Sequence, residues 1–95
     1  MYARLTRISG GQFDEDQVGP MTEAIMSQAR AMDGIRAGYW LRSADTGDLF
    51  ALTLWDSEEA MRATEEQAAA LREQAAQDVG GGEMTVDRCE IIGQL

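Results

Sequence analysis

Four short segments rich in apolar residues and bounded by turn residues predict four β-strands, and the first of them also alternates with a period of two. The predicted strands cover residues 2–8, 35–43, 49–55 and 84–92. The short turn that joins the second strand to the third contains Gly47, where a positive φ is expected. These two strands are therefore predicted to form an antiparallel hairpin.

A helix is predicted between the first two strands, because apolar residues there recur every three or four positions. It starts near Asp14 in an acidic run, or at Gly19, since Pro20 is tolerated only in the first turn. Asp33 and Gly34 end it. Its predicted buried face consists of Val18, Met21, Ile25, Ala29 and Met32.

A second helix is predicted after the third strand, with Asp56 or Ser57 as its N-cap. Glu59, three residues after Asp56, would complete a capping box. The helix is expected to run for about five turns and to stop at the glycines of residues 80–82. Its predicted buried face consists of Met61, Thr64, Ala68, Leu71 and Ala75.

The predicted order of elements is β-α-β-β-α-β over a single domain of residues 1–95. This order is typical of a ferredoxin-like α+β fold, an antiparallel sheet with both helices on one face. The third strand is apolar on both faces: one holds Phe50, Leu52 and Leu54, and the other holds Leu49, Ala51, Thr53 and Trp55. A sheet of this kind needs a second layer, so we expect a homodimer formed through the open sheet face.

Composition excludes several kinds of chemistry. The chain has a net charge of -9, which argues against a nucleic-acid partner. It contains no histidine, lysine or asparagine, so imidazole acid/base catalysis, Schiff bases and histidine-bound metal or haem are excluded. No apolar run is long enough to cross a membrane and no signal peptide is recognised. Cys89 is the single cysteine and is expected to be a small buried side chain. Because one cysteine cannot form an internal disulfide, the protein is predicted to be cytoplasmic.

The junction between the third strand and the second helix is the strongest candidate for a site. Trp55 ends the strand and lies directly before the predicted cap. Ligand sites often form where a sheet edge opens beneath a helix, and an aromatic ring there can serve as a wall. The alternative is that Trp55 is a core residue that closes the end of the sheet.

Three segments resemble the antibiotic biosynthesis monooxygenase-like family. They are YARLTR at residues 2–7, GYWLR at residues 38–42 and above all LTLWDSEEA at residues 52–60. The resemblance implies dimeric α+β barrels with a small-molecule pocket between sheet and helices in each subunit. It places Trp55 at the tryptophan that lines this pocket in the family's oxygenases.

The resemblance and the two-residue period together give a set of pocket candidates. Ala51 and Thr53 share the face of Trp55 and would leave room for a small aromatic ligand. Arg7 could reach the pocket from the first strand, with Leu5 on the same face, and Tyr39 could supply a phenol. Further candidates from neighbouring positions are Tyr2, Arg36, Arg42 and Leu49.

The same resemblance implies a function, cofactor-independent oxidation of an aromatic or quinol substrate. The protein would stabilise a substrate anion with the Trp55 indole and an arginine, inside apolar walls. No cofactor and no metal ion are expected. Oxygenases of this superfamily often carry an asparagine on the first strand, and Ala3 occupies roughly that position here.

The missing asparagine leaves two other hypotheses open. One is a non-catalytic dimeric protein that binds a small molecule, for instance in a stress response. The other is a purely structural domain whose interior is filled by Met21, Ile25, Met61 and Leu71. The hypotheses differ in the size of the space beside Trp55.

Several candidate residues also have simple structural interpretations. Tyr39 and Trp40 are adjacent and must point to opposite faces, and packing at a dimer interface is the expected use of either. The strand arginines Arg4, Arg7 and Arg88 are expected to pair with acidic neighbours such as Glu90 or Asp87 across the sheet.

Overall fold

Four strands and three helices make up the chain in a computed structural model that describes residues 1–10, 15–78 and 82–95. In chain order, with their bounds, they are β1 (Tyr2–Ser9), α1 (Glu15–Ala29), β2 (Ile35–Arg42), β3 (Leu49–Trp55), α2 (Glu58–Ala63), α3 (Glu65–Asp78) and β4 (Glu83–Glu90).

The strands form one antiparallel sheet in the order β2-β3-β1-β4. The long crossovers through the helices place β1 beside β3 and β4, as the ferredoxin-like arrangement requires. The predicted α+β fold is therefore confirmed. The hairpin between β2 and β3 is confirmed as well, and its turn contains Gly47 at a φ of 79°.

The register of the sheet decides which residues share a face. Arg4 lies opposite Thr53, Thr6 opposite Ala51 and Ile8 opposite Leu49. The even-numbered residues of β1 and the odd-numbered residues of β3 therefore point to the same side. This is the side that packs against α1 and α3, and we call it the helix face of the sheet.

The first helix differs from its prediction at the N-terminus. It is already formed at Glu15, so the start at Gly19 is wrong, and Asp14 lies outside the described residues. Pro20 sits inside the helix on its exposed side. Residues Met21 and Ile25 pack against Ile8 and Leu49, as the helical spacing predicts.

The second predicted helix is two helices, because the chain breaks at Thr64. The Thr64 hydroxyl donates to the carbonyl oxygens of Ala60 at 3.2 Å and Met61 at 3.1 Å. The guanidinium of Arg4 also donates to the Met61 carbonyl and to the Thr64 hydroxyl. Thr64 adopts a φ of -100° and a ψ of 11°, and α3 starts at the next residue.

The structure agrees with one of the two residues predicted as the N-cap of α2. Ser57 is the N-cap and its hydroxyl accepts from the Ala60 amide at 3.1 Å. The alternative cap at Asp56, with its capping box to Glu59, is therefore wrong. The side chain of Ala75 and the predicted stop at Gly80 and Gly81 lie outside the described residues.

In the part of the chain that the structure describes, the helices fall short of the length and apolar character that crossing a membrane would need.

Candidate functional site

A cavity of about 280 Å³ lies between the helix face of the sheet and the helices. From the sheet it is bounded by Ala51, Thr53 and Trp55 of β3 and by Arg4 and Thr6 of β1. Most of its surface is apolar. Such a space can accept a planar molecule of two or three fused rings rather than a few water molecules.

The helices supply the opposite wall. Met21 and Ile25 reach the cavity from α1, and Leu71 and Arg72 reach it from α3. Met21, Ile25 and Leu71 therefore line this space instead of filling it, whereas Met61 is buried in the core with 1 % of its surface exposed.

Trp55 is the most deeply buried residue of the site, with 0 % of its surface exposed. Its indole Nε1 donates to the Thr53 hydroxyl oxygen at 2.9 Å, and that hydroxyl donates to the Arg4 carbonyl at 3.5 Å. The indole N–H is thus committed to the protein. The ring has no exposed surface either, so Trp55 supports the wall of the cavity from behind its surface.

Arg4 extends from the middle of β1 over this ring. Its guanidinium carbon lies 5.0 Å from the centre of the Trp55 ring, a cation–π distance, and only 4 % of the residue is exposed. The terminal Nη2 donates to the Met61 carbonyl, to the Thr64 hydroxyl at 3.5 Å and to Glu65 Oε2 at 3.1 Å. These bonds hold the positive charge at the wall of the cavity.

Glu65, the first residue of α3, is shared by three arginines. Arg4 contacts its Oε2, Arg72 lies 3.2 Å from its Oε1, and Arg88 of β4 contacts both oxygens. The hydrogen bonds from Arg88, and then the charge of Arg4, lower the pKa of Glu65 to about 2. This arginine cluster of Arg4, Arg72, Arg88 and Glu65 carries two more positive charges than negative ones.

Two guanidinium nitrogens of the cluster are buried without a hydrogen-bond partner. They are Nε of Arg4 and Nη1 of Arg72, and both arginines line the cavity. Burial lowers the pKa of Arg4, and the charge of Glu65 opposes that shift. A buried N–H donor with no acceptor is costly, so these two nitrogens reduce the stability that the cluster contributes.

Trp40 of β2 forms the wall at the sheet's edge. Its ring lies over Gly38, two residues earlier on the same face of the strand, because a glycine leaves space for it. Tyr39 points the other way and is 54 % exposed. The expectation that Tyr39 and Trp40 occupy opposite faces therefore agrees with the structure.

The structure divides the six predicted pocket residues between the two faces of the sheet. Trp55, Thr53 and Ala51 line the cavity. Leu5, Arg7 and Tyr39 lie on the opposite face, which we call the open face, because their strand positions have the other parity. Of the further candidates, Leu49 and Arg42 also border the cavity.

The predicted partners of the strand arginines are corrected by the structure. Arg7 binds Asp48, with its Nε 3.0 Å from Oδ2, and its guanidinium lies 5.5 Å from the centre of the Phe50 ring on the open face. Arg4 and Arg88 face each other across β1 and β4 and share Glu65 instead of pairing with Asp87 or Glu90. Glu90 accepts from the Tyr2 hydroxyl at 3.3 Å.

The sequence reasoning missed Arg4, Arg72 and Glu65 as site residues. Arg4 lies on the β1 face opposite to Arg7, and the register of β1 against β3 is what places that face toward the cavity. Arg72 and Glu65 are seven residues apart on α3, which places them on one side of a helix. Cys89 was expected to be buried and is exposed.

The cavity lining contains no carboxylate among the described residues. Its polar side chains are hydroxyls and guanidiniums, such as those of Thr6, Thr22 and Arg4. The described residues also include no group of three or more acidic or cysteine side chains placed to hold a metal ion. The site can therefore stabilise an anion, but it does not present a general base.

Comparison with known proteins gives matches among solved structures. Rv0793 from Mycobacterium tuberculosis superposes with a TM-score of 0.69 at 21% identity, covering 98% of this chain and 96% of that chain. SnoaB, a cofactor-independent oxygenase from Streptomyces nogalater, gives 0.73 at 12% identity, covering 99% and 95%. The monooxygenase ActVA-Orf6 of Streptomyces coelicolor, in complex with nanaomycin D, gives 0.70 at 17% identity, covering 99% and 89%.

No protein-family model matches the chain, and no curated protein matches it significantly. At these levels of identity, the structural likeness shows the fold. The chain has the fold of the antibiotic biosynthesis monooxygenase-like proteins over its whole length. The resemblance expected from the sequence is confirmed in this respect.

Proposed function

We propose that this protein is a monooxygenase-like enzyme that oxidises a small aromatic phenol or quinol without a cofactor. One observation carries the proposal: an apolar cavity of about 280 Å³ whose wall holds the buried pair of Arg4 and Trp55. A planar substrate would lie between the sheet at Ala51 and Thr53 and the methionine and isoleucine side chains of α1. The oxygenase SnoaB and the nanaomycin D complex of ActVA-Orf6, which share the fold, support this function.

The reaction would start from a substrate anion. The deprotonated ring passes one electron to dioxygen, and the resulting radical pair combines to form a carbon–oxygen bond. The hydroperoxide then loses water and leaves a carbonyl group, so that anthrone and O2, for example, would give anthraquinone and H2O. All electrons come from the substrate, and the protein supplies none.

The arginine cluster would favour the anion. Because the described lining holds no carboxylate and the chain holds no histidine or lysine, the substrate proton must leave to solvent. A positive charge fixed beside the substrate lowers the substrate's own pKa and so raises the fraction that reacts. The apolar walls strengthen this effect by excluding water.

Oxygen consumption tests the proposal. We expect uptake above buffer with anthrone or a naphthalene quinol for the wild-type protein, and at least about tenfold less for Trp55→Phe, which alters the ring beneath Arg4. Tyr39→Phe, an aromatic substitution on the open face, should retain the wild-type rate. No uptake above buffer across the panel would contradict an oxygenase, and saturable binding in that case would favour the non-catalytic binding protein.

The protein is further proposed to act as a homodimer in a reducing, cytoplasmic setting. Leu5, Leu52 and Tyr39 lie side by side on the open face, where Leu52 is paired with both of the others. Apolar side chains in the middle of an exposed sheet are typical of an interface. The exposed thiol of Cys89 is compatible with reducing conditions. Light scattering at micromolar concentration should give twice the mass of one chain.

A further inference from the structure

The hydroxyl and guanidinium groups that border the cavity are for the most part engaged with the protein. They belong to Arg4, Thr6, Thr22, Arg42, Thr53 and Arg72. Arg4, Thr53 and Arg72 are hydrogen-bonded to protein groups, and Arg42 also has a partner. The hydroxyls of Thr6 and Thr22 make no hydrogen bond with any described residue. Together with Trp40, these threonines are the unpartnered polar side chains of the described lining.

Thr6 differs from the other two because it is buried. Only 5 % of the residue is exposed, whereas Thr22 and Trp40 keep more surface. The unpartnered side-chain atoms that the described protein encloses completely are Nε of Arg4 and Nη1 of Arg72. The Thr6 hydroxyl is not one of them, so its oxygen keeps accessible surface, and Thr6 borders the cavity. A buried hydroxyl without a partner therefore opens on this space.

The surroundings of Thr6 on the helix face are mostly apolar. It is paired with Ala51 of β3 and with Val86 of β4, and along β1 its neighbours on this face are Arg4 and Ile8, each about 7 Å away. A water molecule held in a cavity needs about two to four polar partners. An oxygen carried on an apolar ring needs fewer, because the walls of the cavity hold the ring itself.

A threonine hydroxyl suits a ligand oxygen that changes its charge. It can accept from the O–H of a neutral phenol, and it can donate to the phenolate oxygen once the proton has left to solvent. A guanidinium can only donate. The hydroxyl would therefore hold the same oxygen before and after deprotonation, and the bond to the anion would be the stronger one because it is charge-assisted.

We propose that Thr6 binds the phenol or phenolate oxygen of the ligand and so sets the orientation of the ring in the cavity. This inference rests on the proposed function, because it names a contact made by the same substrate. Fused-ring ligands that carry a hydroxyl group are then selected over purely apolar rings of the same size.

A matched pair of ligands tests this contact without any turnover. 2-Naphthol and 2-methylnaphthalene have nearly the same shape and differ in the hydroxyl group, and equilibrium dialysis at pH 7 measures the binding of both. In Thr6→Val, which replaces a hydroxyl by a methyl group, we expect the affinity for 2-naphthol to fall about threefold to tenfold, the effect of one neutral hydrogen bond. The affinity for 2-methylnaphthalene should change less than about twofold. Thr6→Ser keeps the hydroxyl and should bind 2-naphthol as the wild type does.

Two further measurements separate a binding role from a structural one. Thr85→Val makes the same change on the open face, opposite Arg7, and should leave both affinities unchanged. Because the Thr6 hydroxyl has no partner within the described protein, Thr6→Val should keep or raise the Tm. A lower Tm in Thr6→Val would show that the hydroxyl serves the fold and would count against the proposal.

The outcomes also distinguish this inference from the proposed oxygenase. An equal loss of both ligands in Thr6→Val, or no loss of either, overturns the contact and leaves the ligand cavity standing. A selective loss of 2-naphthol in Thr22→Val but not in Thr6→Val would place the contact on α1 and overturn it as well. Binding of neither compound to the wild type overturns both proposals. A selective loss in Thr6→Val without oxygen uptake on any substrate supports the contact in a protein that binds and does not oxidise.

Discussion

The ring of Trp40, which lines the cavity, lies against the α-carbon of Gly38. A Cβ added at Gly38 would lie 2.7 Å from Cζ3 and 2.8 Å from Cη2 of Trp40. No side chain fits at that distance, so the position of the ring depends on the glycine. One aromatic side chain of the cavity lining is thus positioned by a residue that has no side chain.

Substituting this glycine should move Trp40. In Gly38→Ala the ring must turn toward the cavity or out to solvent, and we expect a loss of about 1 to 3 kcal/mol in the free energy of unfolding, as for other overpacked sites. Affinity for a naphthalene quinol should fall as well. Gly93→Ala, where an added Cβ meets nothing within 4 Å, is the control and should change stability by less than about 0.5 kcal/mol. Wild-type stability in urea unfolding of Gly38→Ala would contradict this account.

Removing the carboxylate of the arginine cluster should destabilise the fold. Glu65→Gln leaves Arg4 and Arg72 buried without their counter-ion, and about 3 kcal/mol of unfolding free energy should be lost, at the low end for a buried pair because Glu65 is 28 % exposed. The neighbouring Glu66→Gln changes an exposed carboxylate and serves as the control. Urea unfolding of both variants at pH 7 measures the difference, and equal values would show that the cluster contributes nothing.

The homodimer can be tested at the centre of the open face. Leu52 lies between Leu5 and Tyr39, so Leu52→Glu would bury a charge in any interface formed there. We expect this variant to be monomeric at concentrations where the wild type is dimeric by light scattering. Ile92→Glu, which changes an aliphatic residue that is 93 % exposed in the C-terminal tail, should remain dimeric. Retention of the dimer in Leu52→Glu would place the interface elsewhere.

Much of the fold could be predicted from local patterns. The alternation in β1 and the apolar run of β3 located these strands, and Gly47 located the hairpin, because these signals depend on neighbouring residues alone. The break at Thr64 could not be predicted in this way. Arg4, 60 residues earlier, contacts both the Met61 carbonyl and the Thr64 hydroxyl at this break, and no local pattern shows these contacts.

The part of the site that lies on a single strand could also be predicted from local patterns, and the rest could not. The period of two placed Ala51 and Thr53 beside Trp55, and this follows from a single strand. Choosing between Arg4 and Arg7 required the register of β1 against β3, which the sequence of either strand leaves open. Glu65 and Arg72 could be recognised as partners of Arg4 only once α3 had been placed above the sheet.

The arginine cluster should make stability depend on pH in a defined window. The pKa of Glu65 is lowered from its ordinary value of 4.5 to about 2, first by hydrogen bonds from Arg88 and then by the charge of Arg4. The unfolded chain therefore binds more protons between these two values, so the contribution of Glu65 is fully present above about pH 4.5 and is lost as pH falls to about 2. A shift of this size corresponds to about 3 kcal/mol.

Other carboxylates also titrate in this range, so the quantity to measure is the difference in unfolding free energy between wild type and Glu65→Gln. That difference should be constant from pH 7 to pH 5 and should approach zero near pH 2, where a protonated glutamate resembles glutamine. A difference that persists unchanged at pH 2.5 would show that the carboxylate is not held in its charged form by the arginines.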